Sequence, residues 1–129
     1  MGSDLDVDLA VVYVVDDEKT IATTLALILV QKGYRAIGFT NPLEALKSAI
    51  ARPPALLISD VMMPEMDGIE LALEFNSRFP SCKVLLLSGQ TGTADLLVSA
   101  RERGHNFTVL AKPIHPKELL AEIGRVTTE

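Results

Sequence analysis

Cysteine occurs once in the 129 residues, at Cys82. No internal disulfide can form, and the chain fits a reducing compartment. No Cys/His cluster has the spacing of a zinc site. Basic runs are missing as well: the twelve Lys and Arg are scattered and the net charge is −5. That argues against a nucleic-acid-binding surface, where phosphate contacts need clustered cations. Long apolar runs are also lacking. The most apolar stretch, Ile21 to Val30, is too short to cross a bilayer and carries two threonines. The opening MGSDLDVD is polar and acidic, the opposite of a signal peptide, and Met1-Gly2-Ser3 has the form of a cloning scar. No internal repeat, linker or low-complexity segment interrupts the chain. The expectation is one soluble cytoplasmic domain that meets neither membrane nor nucleic acid by itself.

What is present suffices for a core. Apolar residues make up 48% and charged residues 22%, ordinary for a globular fold that needs no disulfide or structural metal. Short apolar runs alternate with longer amphipathic stretches. Leu9 to Val15 is β-branched and nearly continuous, which predicts a strand buried on both faces. Glu18 to Lys32 predicts a helix stopped by Gly33, and Tyr34 to Phe39 a second strand. Asn41-Pro42 supplies a cap and first position for a helix to about Ala51. Pro53-Pro54 ends it, and Ala55 to Ser59 is the third strand. A helix from about Ile69 to Arg78 and a strand from Cys82 to Ser88 follow. Thr93 to Arg103 is a helix ended by Gly104, Phe107 to Ala111 the fifth strand, and Pro116 to about Val126 the last helix. This (βα)₅ order predicts an α/β fold: a doubly wound, five-stranded parallel sheet of order 2-1-3-4-5.

In such sheets ligands bind beyond the carboxyl ends of the strands. Strand one ends in Asp16-Asp17-Glu18, strand three in Asp60, strand four in Ser88-Gly89 and strand five in Lys112-Pro113. With strands one and three adjacent, Asp16, Asp17 and Asp60 crowd one crevice. Crowded carboxylates repel, and a divalent cation removes the conflict. Oxygen ligands without His or Cys point to Mg²⁺. Lys112 adds a positive charge facing Asp60, and Ser88 offers a hydroxyl to a new phosphate oxygen. A nucleophilic carboxylate, a metal, an ammonium and a hydroxyl are what phosphoryl transfer to Asp requires. Singly, each residue has a blander role. An Asp after a strand commonly caps a helix or forms a turn, Ser satisfies a loop, and Lys is solvated.

Four ordered segments, VVDDE at 14–18, SDVMMPEMDG at 59–68, LLLSG at 85–89 and AKP at 111–113, resemble a response-regulator receiver domain of bacterial two-component signalling. The likeness covers Leu9 to Val126. It implies a CheY-like, flavodoxin-like receiver domain over 9–126, a disordered or tag-derived lead at 1–8 and a tail at 127–129. It implies that Asp60 is the phosphoacceptor, a signalling switch rather than an ordinary enzyme, with self-catalysed phosphorylation and dephosphorylation. Asp17 binds Mg²⁺ directly, Asp16 through water, and the Met62 carbonyl is a further ligand. Ser88 becomes the switch hydroxyl and Lys112 the phosphate-pairing lysine, in a cis Lys112-Pro113 peptide. Pro64 and Gly68 shape the loop after Asp60. The implied partners are a sensor histidine kinase or phosphotransfer protein in a phosphorelay, and a downstream protein target.

The chain also departs from that family. Receivers usually carry an aromatic residue three positions before the lysine, where this chain has Val109. Either Phe107 takes the part through a local bulge, or the aromatic half of the switch is missing. Met62 and Gln90 flank the expected path of a hydrolytic water. His105 and His115 read as turn or cap residues rather than phosphohistidines, and Met62, Met63 and Met66 as loop packing. On helix one, Ile21, Leu25, Ile28 and Leu29 form a core stripe, while Ala26, Leu27 and Val30 leave the outer face apolar. That face is a candidate for a partner or a homodimer. Two other readings stand beside a stand-alone or excised phospho-receiver. One is a degenerate receiver that binds without phosphorylation. The other is a haloacid-dehalogenase-type phosphatase, which wants an acid where Met62 stands.

Overall fold

A computed structural model of the chain describes residues 11–127 apart from 65, 90–97, 99, 103 and 106. Five strands run in chain order: β1 (Val11–Val15), β2 (Arg35–Phe39), β3 (Leu56–Asp60), β4 (Lys83–Ser88) and β5 (Thr108–Ala111). The helices are α1 (Lys19–Gln31), α2 (Pro42–Ala51), α3 (Gly68–Arg78), helical residues at 98 and 100–102 (α4), and α5 (Pro116–Thr127). The sheet is parallel with order β2-β1-β3-β4-β5, as the alternation predicts. Leu9, Gln90 and most of the expected helix 93–103 lie outside the described residues. None of the described helices is long and apolar enough to cross a membrane.

Alternation along β1 shows why that strand is apolar throughout. Val12 and Val14 face one side, with Leu25 and Leu29 of α1 and Leu119, Ile123 and Val126 of α5. Val11, Tyr13 and Val15 face the other, with Ala45 and Ala49 of α2 and Leu71 and Phe75 of α3. Successive side chains of a strand point to opposite faces, so only a strand covered on both sides tolerates such a run. Tyr13 keeps its hydroxyl satisfied by donating to the Arg52 carbonyl at 2.9 Å. A third cluster, Val61, Ile69, Ala72, Leu86 and Ala100, holds α3 and α4 against β4.

Local signals set the helix ends. Asn41 accepts from the Leu43 N–H at 2.8 Å with Pro42 at the first position of α2. Asp67 accepts from the Glu70 N–H at 2.8 Å and starts α3 at Gly68, one residue before the expected Ile69. Gly33 follows α1 with φ 97°, a left-handed conformation that glycine enters without steric cost. The α1 stripe is as expected with Ala22 added: Ala22, Leu25 and Leu29 are buried, Ile21 and Ile28 half-buried. On its outward side Leu27 is 57% and Val30 50% exposed.

Candidate functional site

All five strands run the same way, so their carboxyl ends share one rim. Asp16 follows β1, Asp60 ends β3, Ser88 ends β4 and Lys112 follows β5. The carboxylate oxygens of Asp16, Asp17 and Asp60 come within 4.8 Å of one another. Asp16 is fully buried, Asp60 nearly so, and Asp17 is exposed. The caps described above dispose of the bland role for two of them. Asp67, not Asp60, caps α3, and α1 has no side-chain cap at all. Asp16 does keep a turn role, since its Oδ1 accepts the Glu18 N–H at 2.9 Å.

Lys112 reaches into this cluster. Its Nζ donates to Asp16 Oδ2 at 2.8 Å and lies 3.3 Å from Asp60 Oδ1. The expectation that it faces Asp60 holds, but its shorter bond is to Asp16. Both Asp16 oxygens are thus engaged, and of the three clustered carboxylates Asp17 and Asp60 line the open groove, with Glu18 beside them. The Lys112-Pro113 peptide is cis, as the resemblance implies. The Lys112 N–H donates to the Ser88 carbonyl at 2.9 Å, tying the ends of β4 and β5 together.

The charges do not balance. Burial pushes the Asp60 carboxyl above the usual carboxylate range, and the Asp16 and Asp17 charges push the same way against Lys112. Burial pulls Lys112 down, but Asp16 and Asp60 outweigh it and its ammonium is held above the usual lysine value. Three carboxylates share one ammonium, and an oxygen-only set with surplus negative charge fits a hard divalent cation.

Backbone packing fixes where Asp60 sits. A Cβ on Gly68 would lie 2.1 Å from the Asp60 carbonyl oxygen, so only glycine lets α3 begin there. The Gly68 N–H donates to the Val61 carbonyl at 2.7 Å and closes the loop. Gly89 plays a similar part for Lys112, since a Cβ there would stand 3.1 Å from the lysine Cδ. Sequence reading paired Gly89 with Ser88 only by position. It assigned Ile21 to the core stripe, where Ile21 does pack, but not to the groove, which Ile21 also lines. Its place one turn into the helix that follows β1 was the available signal.

Other expectations resolve less evenly. Met63 and Met66 pack on the core, but Met62 is 44% exposed and lines the groove instead. His115 accepts the Lys117 N–H on Nδ1 at 3.2 Å, a capping contact, and His105 stacks on Phe107 with centroids 6.0 Å apart. β5 begins at Thr108, so Phe107 precedes the strand that was expected to include it. Thr108 to Ala111 pair in unbroken register with Leu85 to Ser88, and no bulge carries Phe107 into the Val109 position.

Comparison with known proteins agrees with this geometry. Residues 12–124 match the family described as the response regulator receiver domain. The response regulator receiver protein CpdR of Brucella abortus is 30% identical over 89% of this chain and 94% of its own length. The DNA-binding transcriptional regulator NtrC of Escherichia coli is 33% identical over 89% of this chain, which spans 24% of that longer protein. Among solved structures, the chemotaxis protein CheY4 of Vibrio cholerae superposes with a TM-score of 0.78 at 30% identity, over 92% of this chain and 98% of that one.

Proposed function

The chain belongs to the response regulator receiver family, and from that premise we propose that Asp60 takes a phosphoryl group from a histidine kinase, a phosphotransfer protein or a small phosphodonor, with Mg²⁺ bound beside it. The convergence of Asp16, Asp17, Asp60 and Lys112 at one rim carries the reading. Asp17 and Asp60 would hold the cation, with Asp16 through water and the Met62 carbonyl as further ligands. Bound there, the cation supplies positive charge to the phosphoryl oxygens as the transfer proceeds.

The residues of the chain do the rest. An Asp60 carboxylate oxygen attacks phosphorus, the bond from phosphorus to the donor nitrogen or oxygen breaks, and the donor leaves with that electron pair. Lys112 Nζ lies 3.3 Å from Asp60 Oδ1, which puts its ammonium within reach of a phosphate formed there. Ser88, half-buried at the end of β4, offers its hydroxyl to a phosphate oxygen. Attack of water on phosphorus returns Asp60 and inorganic phosphate, which makes the switch reversible. The effect is exerted through a changed protein-interaction surface.

One observation favours a second reading. With Val109 in the ladder and Phe107 outside it, the aromatic half of the switch is missing, as in a receiver that binds its target without phosphorylation. Intact mass after incubation with acetyl phosphate separates the two. A single phosphoryl adduct that needs both Mg²⁺ and Asp60, and vanishes in Asp60→Asn, supports the switch. An unmodified chain with both acetyl phosphate and a phosphorylated kinase supports the binding module.

A further inference from the structure

The groove at the carboxyl rim is open to solvent and has a volume of about 870 Å³. A phosphoryl group and a partly hydrated cation occupy only roughly 200 Å³, counting each oxygen-sized group at the ~30 Å³ of liquid water. The remaining space is bordered by accessible apolar side chains, Ile21 from α1, Met62 after β3, and Pro113 and Ile114 after β5, with Thr20 and Thr24 of α1 as its uncharged polar members. Its charged members among the described residues are Asp17, Glu18, Asp60 and Lys112, of which three repel an anionic leaving group. An anionic donor therefore gains more from an apolar extension than from further negative charge.

We propose that this groove selects phosphodonors whose leaving group carries an aliphatic chain, so that short-chain acyl phosphates larger than acetyl phosphate are the better small-molecule substrates. The inference rests on Asp60 being the acceptor. In the step, an Asp60 carboxylate oxygen forms the new bond to phosphorus and the phosphorus–oxygen bond to the acyl group breaks. The carboxylate of the short fatty acid departs with the electron pair, and nothing is oxidised or reduced. The chain lies against Ile21 and Ile114 during the transfer.

Acetyl, propionyl and butyryl phosphates test this, because their carboxylate leaving groups have nearly the same basicity and differ chiefly in apolar surface. A buried methylene corresponds to about a fourfold gain in kcat/KM. Rates of phosphoryl adduct formation with Mg²⁺, measured by intact mass at subsaturating donor, are expected to rise along the series. Butyryl phosphate, with two methylenes more, should exceed acetyl phosphate by roughly fifteenfold, and Ile21→Asn or Ile114→Asn should compress that ratio toward one. A flat or falling series, with acetyl phosphate still labelling Asp60, overturns the selection and leaves the acceptor standing. A rise that both variants leave unchanged overturns the assignment of the walls. Failure of all three donors to label a chain that a phosphorylated kinase does label at Asp60 overturns the selection and leaves the acceptor standing, and failure with the kinase as well removes both.

Discussion

Replacing Gly68 by alanine sets a methyl group 2.1 Å from the Asp60 carbonyl oxygen, 2.9 Å from its carbonyl carbon and 3.0 Å from the Val61 Cα. All three are backbone atoms, so no side chain can swing away to relieve the contact. Separation must grow by roughly 1 Å before the methyl and the oxygen reach ordinary contact, and either α3 or the end of β3 has to move. Overpacking of this kind costs about 1–3 kcal/mol, offset by at most ~1 kcal/mol from the better helix propensity of alanine. The loop bond from the Gly68 N–H to the Val61 carbonyl, 2.7 Å long, resists movement of α3 and directs the displacement toward Asp60. A misplacement of about 1 Å in a reacting group lowers a rate by about 10²-fold. Urea denaturation of Gly68→Ala should show a net loss of about 0–2 kcal/mol once the propensity gain is set against the overpacking, and acetyl phosphate labelling should slow by one to two orders of magnitude. Wild-type stability together with wild-type labelling would refute the claim that this contact positions the acceptor.

Three further outcomes follow from the same geometry. Lys112→Met leaves the fully buried Asp16 without its 2.8 Å partner, and should cost about 3 kcal/mol in chemical denaturation, the usual penalty for orphaning a buried charge. Asp60→Asn should raise the melting temperature of the metal-free protein at neutral pH, because burial and the neighbouring carboxylates hold the Asp60 carboxyl above its ordinary value. The sign is fixed by linkage: a raised acid leaves the fold unpenalised below the unfolded carboxylate range and costs stability as pH rises through its folded value. The gain from Asp60→Asn should therefore shrink to nothing on acidification, which melting curves across pH will show. Gly89→Ala brings a methyl within 3.1 Å of the Lys112 stem; the flexible lysine can yield, so stability should change by less than about 1 kcal/mol, while labelling of Asp60 slows as the ammonium shifts.

The frame of this site was legible because it depends on backbone periodicity. The two-sided burial of Val11 to Val15, the cap at Asn41 and the stop at Gly33 are local signals that delimit the elements, and their β/α alternation with right-handed crossovers points to the sheet order. Once the order is known, Asp16, Asp60, Ser88 and Lys112 must meet at one rim. Contacts that depend on side-chain paths were not legible. The closer pairing of Lys112 with Asp16 than with Asp60 is decided by how the lysine stem passes Gly89. The engagement of Asp16 by the Glu18 N–H is decided by a turn two residues long. Phe107 illustrates the same limit. Its spacing from Lys112 left a bulge conceivable, and only the register of β5 on β4 excludes it among the described residues. The groove walls needed the crossing of α1 over the sheet, which brings Ile21 to the rim as well as to the core.

The most direct test of the central claim is to locate the phosphoryl group itself. Borohydride reduces an aspartyl phosphate to homoserine and leaves a free carboxylate untouched, so the labelled protein can be reduced, digested and sequenced by mass spectrometry. The account predicts homoserine at residue 60 alone, and only when both Mg²⁺ and the phosphodonor were present. Homoserine at Asp16, at Asp17 or at any other position, or a phosphoryl adduct that yields none, would contradict it.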